Sequence, residues 1–453
     1  MSTDLEQSSG AVSAVDCDDW KRDALNRDDI ACTRAATDDD DDDNVRLGNL
    51  QPDGECAAAT TERVNSPSGT SSNGVSAPPS AFFAVPPRRG VFLDLIDTLL
   101  HSGLGSASTS AASSTAERPD SDFTTPCAED QVRRLFSMGL VDKLCEEVRA
   151  VVAAEQAMLD VRVVEDETLV VVGDIHGNLS DLVAHVLSEQ SDRQLNVDGS
   201  DRKFLFLGDF VDRGPCGVEV VMLLFALKVE YPQLIYMTRG NHEDSQTSRF
   251  YGFFHEVLQK FGSDAAWVRF NEVFCYLPLA AVVTTPRKRF FASHGGLSPQ
   301  LTSSVDIIST IERSDYGNVL DNVLNEVVDG LLWSDPTEST PLYARNVRGR
   351  GYLFGVEASQ EFCRLNKFDF ICRAHQVVSE GYAWTHDGKV LTVFSVPNYC
   401  GYNNNLGAVM TVQPSQSEKE LYFKQFTSSI DSNPSSPPPP KQLTEFVFSA
   451  FLE

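Results

Sequence analysis

The hydrophobic positions of this chain change period several times, and the changes outline an α/β protein. From Gln131 to about Ala157, apolar residues recur at helical spacing: Val132, Leu135, Leu140, Leu144, Val148, Val151 and Val152. That is the signature of one buried helix face. Beyond it, strand-like runs alternate with helical ones: Leu169–Val172, Phe204–Leu207, Val218–Val229, Leu234–Met237, Phe254–Phe261, Leu277–Thr284 and Phe290–Ala292. After a long mixed stretch come Phe370–Cys372 and Val390–Val396. Short apolar runs that end in polar clusters read as strands feeding loops. Between two of them, Pro286–Arg289 reads as an exposed hairpin turn rather than a nuclear signal.

Residues 1–130 break this rhythm. They hold the acidic run Asp38–Asp43 and Ser/Thr/Ala/Gly/Pro tracts around 65–81 and 102–126. Such a stretch buries too little apolar surface to offset chain entropy, so it is expected to be a mostly disordered acidic extension. Its exception is an apolar island at 81–100, carrying Phe82, Phe83, Val85, Val91, Phe92, Leu93, Leu95, Ile96, Leu99 and Leu100. The island reads either as a segment covering part of the folded domain or as a partner-docking motif. A polar piece near Ser188–Arg202 reads as a surface loop. At the other end, Pro437–Pro440 mark a linker in polyproline conformation, followed by a short apolar segment, Thr444–Leu452. The expected organisation is an extension over 1–130, a folded domain over 131–428, and linker and tail over 429–453.

Composition narrows the function classes. With 453 residues, 42% of them hydrophobic, the chain can bury a sizeable core, which excludes a wholly disordered protein. A net charge of −28 argues against coating nucleic acid, whose phosphates would be repelled. No run approaches the ~20 apolar residues of a membrane helix. Ten cysteines without a C-x-x-C pair, behind an N-terminus lacking a signal-peptide pattern, suggest reduced thiols in a cytoplasmic or nuclear protein.

The candidate chemistry sits where strand-like runs stop. One runs into Gly173-Asp174-Ile175-His176-Gly177, the next into Gly208-Asp209-Phe210-Val211-Asp212-Arg213-Gly214. A third leads to Arg239-Gly240-Asn241-His242-Glu243, a fourth to Ser293-His294-Gly295-Gly296. Each element alone is background; four in succession at strand ends are not. Asp, His and Asn with a bridging carboxylate suit two divalent metals roughly 3.5–4 Å apart, a clamp for phosphoryl transfer. Of the eight histidines, His176, His242, His294 and His375 lie in such clusters, whereas His101, His185, His255 and His386 do not.

GDIHG, GDFVDRG, RGNHE, SHGGL, LLWSDP, RAHQ and VPNYCG, in this order, resemble the phosphoprotein phosphatase family of serine/threonine phosphatases. The resemblance covers about residues 131–428 and includes late segments that generic metallophosphoesterases lack. It implies a central β-sandwich flanked by helices on both faces, with the metal site at its strand ends. It further implies two divalent ions (Mn, Fe or Zn), with Asp174 and His176 on the first, Asp209 bridging, and Asn241, His294 and His375 on the second. A metal-activated water or hydroxide would then attack a phosphoserine or phosphothreonine directly. By the same resemblance His242 is the general acid and Asp212 orients it. Arg213, Arg348, Asn241 and Tyr399 contact the phosphate. Arg350 does not match the motif.

The expected partners are phosphoprotein substrates, with regulatory or targeting proteins reaching the N-terminal extension, and neither nucleic acid nor membrane. Two rival readings are a metallophosphoesterase acting on nucleotides and an inactive scaffold that binds phosphoproteins. The late motifs weigh against the first, and the complete ligand set with its Asp212/His242 pair weighs against the second. Asn178 stands where the family has Gln, and Gly401–Asn405 replaces a more acidic loop, so inhibitor sensitivity does not follow from the resemblance.

Overall fold

The computed structural model describes residues 87–104, 136–187, 202–301, 303–317, 320, 322–414 and 419–429. The acidic run, the tail beyond 429 and the loop expected near 188–201 lie outside the described residues. Two helices open the described chain, α1 (Leu93–Leu104) and α2 (Met138–Ala154). Next come β1 (Met158–Arg162), β2 (Thr168–Val172), β3 (Arg202–Phe206), α3 (Gly217–Glu230) and β4 (Ile235–Met237). Helices α4 (Ser245–Phe250), α5 (Phe253–Phe261) and α6 (Ala265–Phe274) lead to β5 (Ala280–Thr284) and β6 (Arg289–Ser293). Helix α7 (Asn322–Trp333), β7 (Asp335–Pro336), β8 (Tyr343–Arg345), β9 (Tyr352–Phe354) and α8 (Val356–Asn366) follow. The last strands are β10 (Ile371–Arg373), β11 (Tyr382–Thr385), β12 (Val390–Val393), β13 (Gly407–Val412) and β14 (Leu421–Phe426).

These strands form a five-stranded sheet, β14-β13-β2-β3-β4, a six-stranded sheet, β1-β5-β6-β10-β12-β11, and a small sheet, β7-β9-β8. The two large sheets face each other across one apolar layer. Val171, Leu205, Leu207 and Met410 enter it from the first sheet, and Val283, Phe290, Ala292, Leu391 and Val393 from the second. A second cluster lies between the five-stranded sheet and α1, α2, α3, α5 and α6, and a third between the six-stranded sheet and α7 and α8. This is the expected sandwich with helices on both faces. Parallel registers align the site. Val172 pairs with Phe206, and Phe206 with Met237, so β2, β3 and β4 release their loops at one edge. In the other sheet β6 and β10 are parallel, with Ala292 opposite Cys372, and so deliver His294 and His375 together.

Helix α3 is buried around its whole circumference, packed among the five-stranded sheet and helices α1, α2 and α5, which explains a sequence with no polar face. Its one buried lysine, Lys228, places Nζ 2.7 Å from the Ile235 carbonyl and pairs with Glu155. The Pro286–Arg289 segment is the antiparallel β5–β6 hairpin turn, where the Thr285 N–H donates to the Lys288 carbonyl.

The described part of the apolar island, residues 87–100, is a covering segment, and Phe82, Phe83 and Val85 lie outside the described residues. Helix α1 presses Leu95, Ile96 and Leu99, with Phe92 just ahead of it, into the same cluster as α2 and α3. Its entry is held by Glu230, buried at the end of α3, whose carboxylate accepts the backbone N–H groups of Arg89, Gly90 and Phe92 at 3.0, 2.7 and 2.8 Å. A carboxylate supplied from elsewhere in the fold thus fixes the backbone just ahead of the helix and satisfies N–H groups that would otherwise be buried without a partner. The folded core therefore includes residues upstream of 131.

Candidate functional site

Every strand-end cluster singled out in the sequence converges on one buried centre. Asp174, His176, Asp209, Asp212, Asn241, His242, His294 and His375 are each less than a tenth exposed. Among the described residues two groups can hold a metal ion, His176 with Asp209 and His242, and Asp209 with His294 and His375; within each group the donor atoms lie within 4.8 Å of one another. Asp209 belongs to both. Asp174 completes the first cluster, its Oδ2 3.5 Å from His176 Nε2, while its Oδ1 accepts the His375 N–H at 2.8 Å. Asn241 Oδ1 lies 2.9 Å from His294 Nε2.

The imidazoles are oriented by groups outside the centre. His176 Nδ1 donates to the Val211 carbonyl at 2.9 Å, and His294 Nδ1 to the Leu207 carbonyl at 3.0 Å. Each therefore turns its Nε2 inward, where loss of the Nε2 proton gives the tautomer a metal needs. His375 differs, with Nδ1 facing His294 at 3.0 Å. Electrostatics follow this geometry. Burial alone would lower His176, but the Asp174 and Asp209 carboxylates outweigh it and hold the ring up to about 9. Burial would raise Asp209, but the His294, His242 and His176 imidazoles hold it well below the carboxylate range. Burial, aided by His294, Arg348 and Arg373, pushes His375 well below the usual histidine value. Carboxylates that draw protons onto imidazoles draw dications equally. The mixed nitrogen and oxygen donor set fits a divalent transition metal.

The backbone is bent to make this possible. His176, Asp209, Asp212, Arg213 and His375 all have positive φ, between 45° and 69°. Non-glycine residues adopt that region only where surrounding contacts over-determine it. The loops after β3 and β4 touch at Gly208 and Gly240: a Cβ on Gly240 would sit 2.3 Å from both the Asp209 nitrogen and its Oδ1. Glu243 locks the same junction. Its carboxylate accepts N–H groups from Asp209, Phe210 and Gly240 at 2.7, 2.7 and 2.9 Å. Burial, reinforced by Asp209, raises its pKa. Glu243 is the last residue of RGNHE, and the pattern alone gives no sign of this role.

Around the centre, His242 Nδ1 lies 2.6 Å from Asp212 Oδ2. Tyr399 tilts over His176 with ring centroids 5.1 Å apart. Arg348 is fixed by Asp335, and Arg213 sits in the strained turn after β3 with its guanidinium over the Tyr251 ring. Asp335, from LLWSDP, is a second residue whose role the pattern alone does not show: one oxygen takes Arg348 and the other the buried Arg373. Arg350 is bound to Asp329 and stacks over Trp333.

Comparison with known proteins agrees with this geometry. Residues 167–379 match the calcineurin-like phosphoesterase family. A solved protein serine/threonine phosphatase from Saccharomyces cerevisiae, with similarity to human phosphatase PP5, is 27% identical over 66% of this chain and 96% of its own, with a TM-score of 0.56. A cold-active protein-tyrosine phosphatase of a psychrophile Shewanella (14% identity, 57% of this chain and 78% of its own, TM-score 0.40) is a more distant match. So is a putative diadenosine tetraphosphatase (17%, 59% and 98%, TM-score 0.31), and neither bears on the substrate. The chain carries a calcineurin-like phosphoesterase domain. With its phosphatase neighbour, that domain supports a place in the phosphoprotein phosphatase family.

Proposed function

We propose that the protein is a serine/threonine protein phosphatase that hydrolyses phosphoserine and phosphothreonine without a phosphoenzyme. The observation that carries this reading is two metal-competent groups sharing Asp209, with His242 at the edge of the first group engaged by Asp212 at 2.6 Å. The S. cerevisiae phosphatase supports the protein substrate. Asp174, His176 and Asp209 would hold one divalent ion, and Asp209, Asn241, His294 and His375 the other. Bound there, such ions supply Lewis-acid polarisation of the phosphoryl oxygens and activation of the attacking water.

The chain's own groups do the rest. Arg213 and Arg348 grip the equatorial phosphoryl oxygens, where planar guanidinium forks match both shape and developing charge. Tyr399 walls the pocket beside His176, and Asn241, which would be a ligand of the second ion, also contacts phosphate. His242 lies within metal reach of His176 and Asp209, but Asp212 engages its Nδ1. Its Nδ1–H stays hydrogen-bonded to Asp212, and its Nε2–H is the one proton transferred to the departing seryl or threonyl oxygen. The test offers the purified chain with Mn a phosphoserine peptide, a dinucleoside polyphosphate and single-stranded DNA. Turnover of the peptide is expected; preference for the nucleotide overturns the substrate assignment.

A further inference from the structure

We propose that Tyr251 is a positioning residue that preorganises the phosphate-gripping arginine and the leaving-group acid together. This rests on the roles proposed above for Arg213 and His242. The turn Tyr251-Gly252-Phe253 joins the end of α4 to the start of α5 and touches three members of the site at once. The Arg213 guanidinium lies over the Tyr251 ring, its Cζ 4.1 Å from the centroid. The Arg213 N–H donates to the Tyr251 carbonyl at 3.1 Å. The His242 ring packs against the same phenol ring, centroids 5.3 Å apart and tilted at 57°. Two residues on, the Phe253 N–H donates at 2.8 Å to Asp212 Oδ1, whose partner oxygen holds His242. Gly252, at φ 130°, gives the turn a backbone shape that other residues rarely adopt.

The two arginines of the site are held in different ways. Arg348 is anchored by a carboxylate, Asp335, through Nε at 2.7 Å. Arg213 has no carboxylate within ion-pair distance among the described residues, and its buried Nε has no hydrogen-bond partner. An aromatic face restrains a guanidinium without neutralising it and leaves its fork open to an anion. That restraint matters where the backbone itself is strained, and Asp212 and Arg213 both sit at φ 69°. Because one ring bears on both side chains, a change at Tyr251 reaches phosphate affinity and proton delivery together.

The experiment compares the full-length chain with Tyr251→Phe, Tyr251→Met, Arg213→Ala and the Tyr251→Met/Arg213→Ala double variant. Turnover of a phosphoserine peptide, inhibition by inorganic phosphate and bound metal are measured for each. Tyr251→Phe keeps the ring face and is expected within about twofold of the parent. Tyr251→Met keeps the bulk but has no face; it should lower kcat and weaken phosphate inhibition, each about tenfold, with metal content unchanged. The double variant should weaken phosphate inhibition no more than Arg213→Ala alone, because the ring acts on phosphate through that arginine. Full activity and phosphate affinity in Tyr251→Met, beside a weakened Arg213→Ala, overturns the positioning role and leaves the phosphatase reading standing. So does equal damage from Tyr251→Phe and Tyr251→Met, or loss of metal from both, since each marks a packing role. Unchanged phosphate inhibition in Arg213→Ala overturns the assignment of that arginine, and this proposal with it.

Discussion

Asp335 divides its two carboxylate oxygens between two arginines: Oδ2 holds Nε of Arg348 at 2.7 Å, and Oδ1 takes the fully buried Arg373 at 3.1 Å. Arg373 in turn donates to the carbonyls of Gly295 and Ser334, so the loops carrying His294, Arg348 and His375 share one charged hub. Burial pulls the Arg373 guanidinium down to about 10, and Asp335 works in the opposite direction. The guanidinium thus stays charged at neutral pH.

Arg348→Ala should therefore weaken inhibition by inorganic phosphate and lower kcat/KM, each by roughly ten- to a hundredfold, the worth of a charge-assisted hydrogen bond. Thermal stability should change little, because the Asp335–Arg373 pair survives. Asp335→Ala should instead cost about 3–5 kcal/mol in stability, since it leaves a buried cation unpaired. Denaturant unfolding beside phosphate inhibition separates the two; an unchanged phosphate constant in Arg348→Ala removes that arginine from the pocket.

His242→Asn should lower kcat on a phosphoserine peptide by about 10²–10⁴-fold, the usual worth of a positioned acid. An aryl phosphate, whose leaving group needs no proton, should lose much less. Metal analysis of the same variant decides whether His242 is acid or ligand: unchanged metal content is expected, and loss of metal would make it a ligand.

Helix α1 is expected to be part of the stable core. Leu99 is fully buried in the cluster with α3, so Leu99→Ala should destabilise by about 2–5 kcal/mol in urea unfolding. A chain starting near residue 127 loses the whole helix and should be less stable than one starting near residue 86. Equal midpoints for those two chains would contradict this.

Much of the site was legible because its chemistry is local in sequence. Asp174 and His176, or Asn241 and His242, stand within two residues of each other after a recognisable strand, and parallel pairing of β2, β3 and β4 brings such groups together. The role of α1 was not decidable from its pattern, since an apolar face predicts burial but does not name the surface that buries it. What settles it is Glu230, 138 residues from the Phe92 N–H it accepts. Glu243 and Asp335 were visible as letters in motifs, but their roles depend on backbone N–H groups and arginines brought near by folding. Tyr251 gave no signal at all; its part arises from two ring contacts that no spacing encodes.

The central claim is a shared two-metal centre built on Asp209, and bound metal measured alongside turnover tests it most directly. The full-length protein should bind two divalent ions per chain, lose phosphoserine-peptide hydrolysis on chelation and regain it with added Mn. Asp209→Asn should bind fewer ions and lose turnover by several orders of magnitude, because the carboxylate common to both groups has lost its charge. Near-parental kcat in Asp209→Asn, or undiminished hydrolysis by the metal-free protein, would contradict the account.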